Sequence, residues 1–180
     1  MLKWPNDLVV TDEGHDHGHD HGQGRRASSP QVRKLGGMLA ESVVGDGRVA
    51  ALVVGLGLNV NWPSPLPEDL GTIATSMNHI AGYPLSRPVL LGEILADFGT
   101  RYRDLDRAGE GESVFTRGLL GEYRQMSATI GKRVRVDLGH EVVVGDALDV
   151  SPEGHLLVID ECPDRPREIV AGDVVHLRGA

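Results

Sequence analysis

The sequence predicts an α+β protein: a mixed or antiparallel sheet with packed helices, followed by a small β-barrel. Three observations carry this. The run Arg48 to Val60 (RVAALVVGLGLNV) is almost wholly apolar and rich in Val and Leu, as in a sheet strand. Apolar residues then recur at helical spacing between residues 86 and 126. From about Thr129 short alternating runs follow one another closely, separated by Gly, Pro and Asp.

Taken in order, the chain opens on Lys3-Trp4-Pro5-Asn6-Asp7, which packs a cation, a large aromatic, a rigid turn residue, an amide and a carboxylate together. Such a run reads as part of a site, or, at Asn6 and Asp7, as a turn held by its own side chains. Leu8-Val9-Val10 is β-prone. The tract 11–31, rich in Gly, His, Asp and Ser, lacks apolar periodicity and reads as a mobile loop. Lys34 to Val44 reads as a strand with a glycine kink near its start, so the two strands form a hairpin with an overgrown tip. Arg48 to Val60 reads as a central strand buried on both faces. Strand alternation puts Gly55, Gly57, Asn59 and Asn61 on one of those faces. Residues 61–76, with three of the ten prolines, read as an extended connection. Leu91, Ile94, Leu95, Phe98, Tyr102 and Leu105, and then Phe115, Leu119, Tyr123 and Met126, mark two amphipathic helices expected to pack one stripe on the sheet. The runs RVRVDL, HEVVVGDALDV, HLLVID, REIVAG and DVVHL are the barrel strands. The domain boundary falls near Ala128, giving 1–127 and 128–180.

The 180 residues suffice for one ordinary domain or two small ones. With 40% hydrophobic residues but only two Trp, two Phe and three Tyr, packing rests on Val, Leu, Ile and Ala. A formal charge of −8 leaves no basic stripe for a duplex, which argues against nucleic-acid binding by this chain while leaving small anionic ligands compatible. The lone Cys162 has no internal disulfide partner, which suits a reducing compartment. No stretch approaches the ~18–20 apolar residues of a membrane span, and the start lacks signal-peptide character, so a cytoplasmic location is expected.

Missing side chains at Gly55 and Gly57 let a flat ligand lie against backbone, with the Asn59 amide able to meet an adenine-like edge; equally, these glycines admit a neighbouring element closely. Lys34 beside Gly36-Gly37 sets a point-like cation next to bare main chain, which fits a phosphate or carboxylate; equally, it is a solvated lysine at a strand start. An Asp near phosphate ordinarily needs Mg²⁺ between the two.

In order, KWPND, then K-L-G-G-M-L-x-E, then G-L-G-L-N-V-N, then helices and a terminal small barrel ending in AGDVVHLR, closely resemble the biotin protein ligases over nearly the whole chain. The resemblance implies a class II synthetase-like domain, incomplete here, followed by an SH3-like barrel. It implies an enzyme of the biotin–[biotin carboxyl carrier protein] ligase type: ATP and biotin, with Mg²⁺, give biotinyl-5′-AMP and pyrophosphate, and biotin then passes to one lysine of a carrier domain of a biotin-dependent carboxylase. Matched residue by residue, Lys34 is the catalytic lysine touching the biotin carboxylate and α-phosphate. Asn6 and Asp7 lie near the phosphates and metal, Gly36, Gly37 and Leu39 line biotin, Asn59 faces adenine, and Lys3 and Gly57 are further substrate-binding residues. No protein nucleophile is required, because the adenylate is the activated acyl donor.

Two departures from the family pattern stand out. The Gly/Arg-rich loop that precedes KWPND in the family is not in this sequence, so Met1 is expected to be an internal or misassigned start, or the relic of a truncated gene, and the isolated chain to be a weak or inactive ligase. The tract 11–31 is an insert, in which His15, His17, His19 and His21 can bind Zn²⁺, Ni²⁺ or Cu²⁺; the blander expectation is a solvated loop with incidental affinity. The competing functions are a non-catalytic binding remnant, docking a carrier domain or pairing with another chain as in a homodimer, and a lipoate-type ligase.

Overall fold

The structure, a computed structural model, describes residues 1–12, 31–108, 114–160 and 165–177. The chain divides into two compact units, Asn6–Pro84 with Met1, and Leu85–Ala180 with Leu2–Pro5. A two-residue strand, β1 (Leu2–Lys3), thus belongs to the second unit.

In the first unit β2 (Asp7–Asp12), β3 (Gln31–Gly45) and β4 (Arg48–Leu58) run antiparallel in sequence order. β2 and β3 pair as the expected hairpin, Asp7 facing Gly37 and Asp12 facing Gln31. Its tip, with His15, His17, His19 and His21, lies outside the described residues. Asp46 and Gly47 join β3 to β4 with φ of 51° and 72°. Two consecutive positive φ values make the turn whose twist matches the flanking strands, and Asp-Gly is a favoured sequence for it.

The expectation of a central strand buried on both faces is corrected. Among the described residues β4 pairs with β3 alone, and Leu52, Val53 and Val54 are 61%, 61% and 52% exposed. Apolar composition records what a strand is suited to bury against; it does not supply the neighbour. The connection after β4 is also more structured than an extended link. It holds α1 (Glu68–Ile73), and α2 (Met77–Ala81) follows it. Between the two, Ala74, Thr75 and Ser76 are buried, and Ala74 bridges Lys34 of β3 in parallel.

The second unit begins with α3 (Arg87–Ala108) and α4 (Val114–Met126). Both helices fall where the spacing puts them, but the α3 stripe does not pack on a sheet. Leu91, Leu95, Phe98 and Tyr102 are each more than half exposed, and no α3 residue is buried. Leu120 and Tyr123 of α4 instead lie against the core of the following strands.

Those strands are β5 (Arg133–Asp137), β6 (Val142–Val150), β7 (Leu156–Ile159), β8 (Arg167–Ile169) and β9 (Asp173–His176), one for each run read from the sequence. They form one antiparallel sheet in the order β8-β7-β6-β5-β9. Alternation supplies the core: Val134, Val136, Val143 and Ala147 point in, and a bulge at Leu148 keeps Val150 inward as well. Trp4 joins this core at 3% exposure; its indole N–H donates to the Gly154 carbonyl at 2.9 Å and its backbone N–H to Thr129 Oγ1 at 3.1 Å. No described helix is long and apolar enough to cross a membrane.

His176 Nε2 lies 3.2 Å from Thr129 Oγ1. Burial first, and then the charges of Lys3 and Lys132, push its imidazole below the usual histidine range. A depressed value means that the unfolded chain takes up this proton more readily than the folded one. The stability tied to His176 is therefore intact above the unfolded value of about 6.5 and is lost as pH falls below it. The melting temperature is expected to drop between about pH 7.5 and 5.5, and to drop less in His176→Gln. Equal drops in thermal melts of the two proteins would contradict this.

Candidate functional site

The three strands of the first unit meet in an open cleft of about 830 Å³. Among its lining residues are Asn6, Asp7, Lys34, Gly37, Gly57 and Asn59. The register explains why they meet. Asp7 pairs with Gly37, and Gly37 pairs with Gly57, which sets the three in a row across the sheet. Lys34 is three residues before Gly37 and by plain alternation would point to the opposite face. The pairing slips here, Leu8 facing Gly36 but Val9 facing Lys34, so Leu35 is the extra residue of a bulge. Absorbing one residue in this way returns Lys34 to the face of Gly37 and Asp7.

Lys34 Nζ stands 2.5 Å from Asp7 Oδ1. The lysine is 52% exposed and its partner 21%, so the pair adds little to stability, on the order of 0–1 kcal/mol. What it does is hold an ammonium over bare backbone. A Cβ at Gly37 would lie 3.1 Å from Asp7 Oδ1 and 3.4 Å from Lys34 Nζ, where the two side chains already sit. A Cβ at Gly36 would lie 2.4 Å from the Gly57 carbonyl oxygen, an approach that any other residue forbids.

The amides are tied into the frame. Asn6 Nδ2 donates to the Met38 carbonyl at 2.5 Å, while Met38 N–H donates to the Asn6 carbonyl at 2.9 Å. Asn59 Nδ2 donates to the Thr75 carbonyl at 3.0 Å, and Thr75 N–H donates to the Lys34 carbonyl at 2.9 Å. Asn59 thus fastens the 74–76 segment against the backbone that carries Lys34. Leu39 also lines the cleft, paired with Gly55 and well exposed.

Lys3 is not among the lining residues. It belongs to the second unit, where it borders a depression with Arg135, Asp137 and Asp173. KWPND is therefore shared: Trp4 is a core residue of the second unit, and Asn6 and Asp7 serve the cleft. Sequence reasoning missed Met38, Leu56, Leu58, Trp62 and Ala74 in the lining. Trp62 comes three residues after Asn59, beyond the strand, where period-2 reasoning stops. Among the described residues no three His, Cys, Asp or Glu side chains gather to hold a metal ion.

Residues 129–177 match the family described as Biotin protein ligase C terminal domain. The chain is also 32% identical over 178 residues to the biotin--[acetyl-CoA-carboxylase] ligase of Mycobacterium tuberculosis, covering 98% of this chain and 53% of that protein. The chain resembles the C-terminal part of a biotin protein ligase along nearly its whole length. The bifunctional ligase/repressor BirA of Bacillus subtilis is 29% identical over 174 residues, 96% of this chain and 45% of that protein. This biotin ligase relative thus spans about half the length of the curated proteins it matches. In fold it is similar to the biotin protein ligase of Aquifex aeolicus in complex with biotin and ATP, with a TM-score of 0.68 at 23% identity over 99% of this chain and 62% of that one. The apo structure of the same Aquifex protein gives 0.69 at 22% identity, over 98% and 64%.

Proposed function

We propose that the cleft on β2–β4 is the biotin- and ATP-binding surface of a biotin ligase, and that it supports formation of biotinyl-5′-AMP. The observation that carries this reading is the bulge-placed Lys34 ammonium above the bare Gly37–Gly57 backbone, beside Asp7. In the reaction, a carboxylate oxygen of biotin attacks the α-phosphorus of ATP and pyrophosphate departs. Both reactants are anions. Lys34 is sited to neutralise their repulsion and the charge that builds on the phosphoryl oxygens, without reorganising during the step. Glycines 37 and 57 let the adenylate lie close to main chain. The Nδ2 of Asn59 is already committed to Thr75, which leaves its carbonyl oxygen to accept from a purine amine. A carrier-domain lysine then attacks the acyl carbon of the mixed anhydride and AMP leaves, so no nucleophile of this chain takes part.

Asp7 is the carboxylate of the cleft lining. One carboxylate together with substrate phosphates suits Mg²⁺, which keeps several waters, so Asp7 would hold that ion. When bound, Mg²⁺ supplies charge neutralisation on the phosphates. The match beginning at residue 129 supports a division into a partial catalytic domain, 1–127, and an SH3-like barrel, 128–180. A biotin carboxyl carrier domain is the proposed acceptor, and the cytoplasm the proposed compartment.

The test is calorimetry of the purified chain with ATP–Mg²⁺, biotin and, as a competitor, lipoate. Expected are binding of ATP and of biotin in preference to lipoate, and weaker binding of both by Lys34→Ala. Binding indifferent to Lys34→Ala would overturn this reading of the cleft. The exposure of Leu52, Val53 and Val54 favours a second reading, an interaction surface without catalysis; under it neither small ligand binds.

A further inference from the structure

Beyond the β2–β4 face, the cleft has one wall made by a segment without regular structure. Trp62 is half-buried there and lines the cleft together with Asn59 and Ala74. The backbone of this residue is fastened. Trp62 N–H donates to Asn78 Oδ1 at 3.0 Å, and Asn78 Nδ2 donates back to the Trp62 carbonyl at 2.9 Å. Ser76 Oγ, itself buried, donates to the same Oδ1 at 2.6 Å and sets which end of the amide points where. Two backbone bonds complete the lacing, Met77 N–H to the Asn59 carbonyl at 2.8 Å and Asn78 N–H to the Val60 carbonyl at 2.9 Å. The Asn78 side chain thus stands in for a paired strand, and the backbone of Trp62 has little freedom left.

We propose that Trp62 is the aromatic wall against which the purine of the nucleotide lies, and that Asn78 is a positioning residue that fixes that wall. The inference rests on the reading of the cleft as a nucleotide site and adds to it the surface that recognises the base. An indole carried on a fastened backbone beside a glycine-bare floor offers a flat slot, and base–aromatic stacking does not depend on hydrogen-bond identity. Asn59 would read the edge of the ring while Trp62 covers its face.

The chain holds two tryptophans, and the other, Trp4, is buried in the core of the second unit. Quenching of intrinsic fluorescence by a nucleotide therefore reports Trp62. With the full chain and Mg²⁺, adenosine and ATP are expected to quench, whereas inorganic tripolyphosphate is not. Trp62→Ala should weaken ATP binding by roughly 5- to 150-fold, leaving biotin affinity within about twofold. Trp62→Phe, which keeps a ring, should restore most of the ATP affinity. Asn78→Ala should weaken ATP and spare biotin, with circular dichroism reporting an unchanged fold. ATP binding that is indifferent to Trp62→Ala overturns the inference alone, as does an equal loss for biotin in a folded variant. A wild-type chain that binds no ATP overturns both the inference and the reading of the cleft beneath it.

Discussion

Lys34→Ala is expected to lower the rate of biotinyl-adenylate formation by roughly 10²–10³-fold, the usual consequence of deleting one preorganised group that meets developing charge. The loss should fall on turnover more than on folding, because the lysine is half-exposed and its pairing with Asp7 contributes little to stability. Asp7→Asn separates the two roles of the pair. It frees the ammonium but removes the carboxylate proposed for Mg²⁺, so its activity should fall and recover partly as Mg²⁺ is raised. Lys34→Arg keeps the charge yet brings a planar fork into a space where Gly37 already lies against the lysine tip, and it is expected to rescue poorly. The measurement is chromatographic detection of biotinyl-AMP from biotin, ATP and Mg²⁺, with labelling of a carrier lysine as a second readout. Lys34→Ala with wild-type turnover would remove the central electrostatic role assigned to this residue.

Trp4→Ala is expected to destabilise the second unit by about 3–5 kcal/mol, the range for deleting a large buried aromatic. That is a large share of the 5–15 kcal/mol that holds an ordinary domain folded. Two losses combine: the indole volume among Val134, Val136 and Leu156, and the N–H bond to the Gly154 carbonyl, which would then have to find water. Trp4→Phe keeps most of the volume and should cost about 1–2 kcal/mol. Urea unfolding followed by far-ultraviolet circular dichroism gives both values. A shift below about 1 kcal/mol for Trp4→Ala would mean that the indole is not a core residue, and that KWPND acts as a single site.

Much of the fold was legible because it depends on local period. The alternation in RVRVDL and HEVVVGDALDV marked them as strands, and strands they are, with Val134, Val136, Val143 and Ala147 buried on one side. The helical spacing from Leu91 to Leu105 placed α3, and the glycines at 55 and 57 marked a bare face that now lines the cleft. Where the expectations failed, the missing information was the partner. Neither the composition of β4 nor the stripe of α3 says whether anything lies against it, and both are exposed. Trp62 was missed for a related reason: its place in the cleft depends on an amide sixteen residues further along the chain.

The amino-acid sequence by itself determined most of the strands and the two long helices, though not α1 and α2, and which family the motifs resemble. These follow from periodicity, residue type and order, all of which are local properties. Only the tertiary structure decided that KWPND divides between two units, that a bulge at Leu35 turns Lys34 onto the face of Asp7 and Gly37, and that Asn59 and Asn78 spend their amides on backbone. The physical reason is that register and bulges are set by pairing between distant segments, and a slip of one residue exchanges the two faces of a strand.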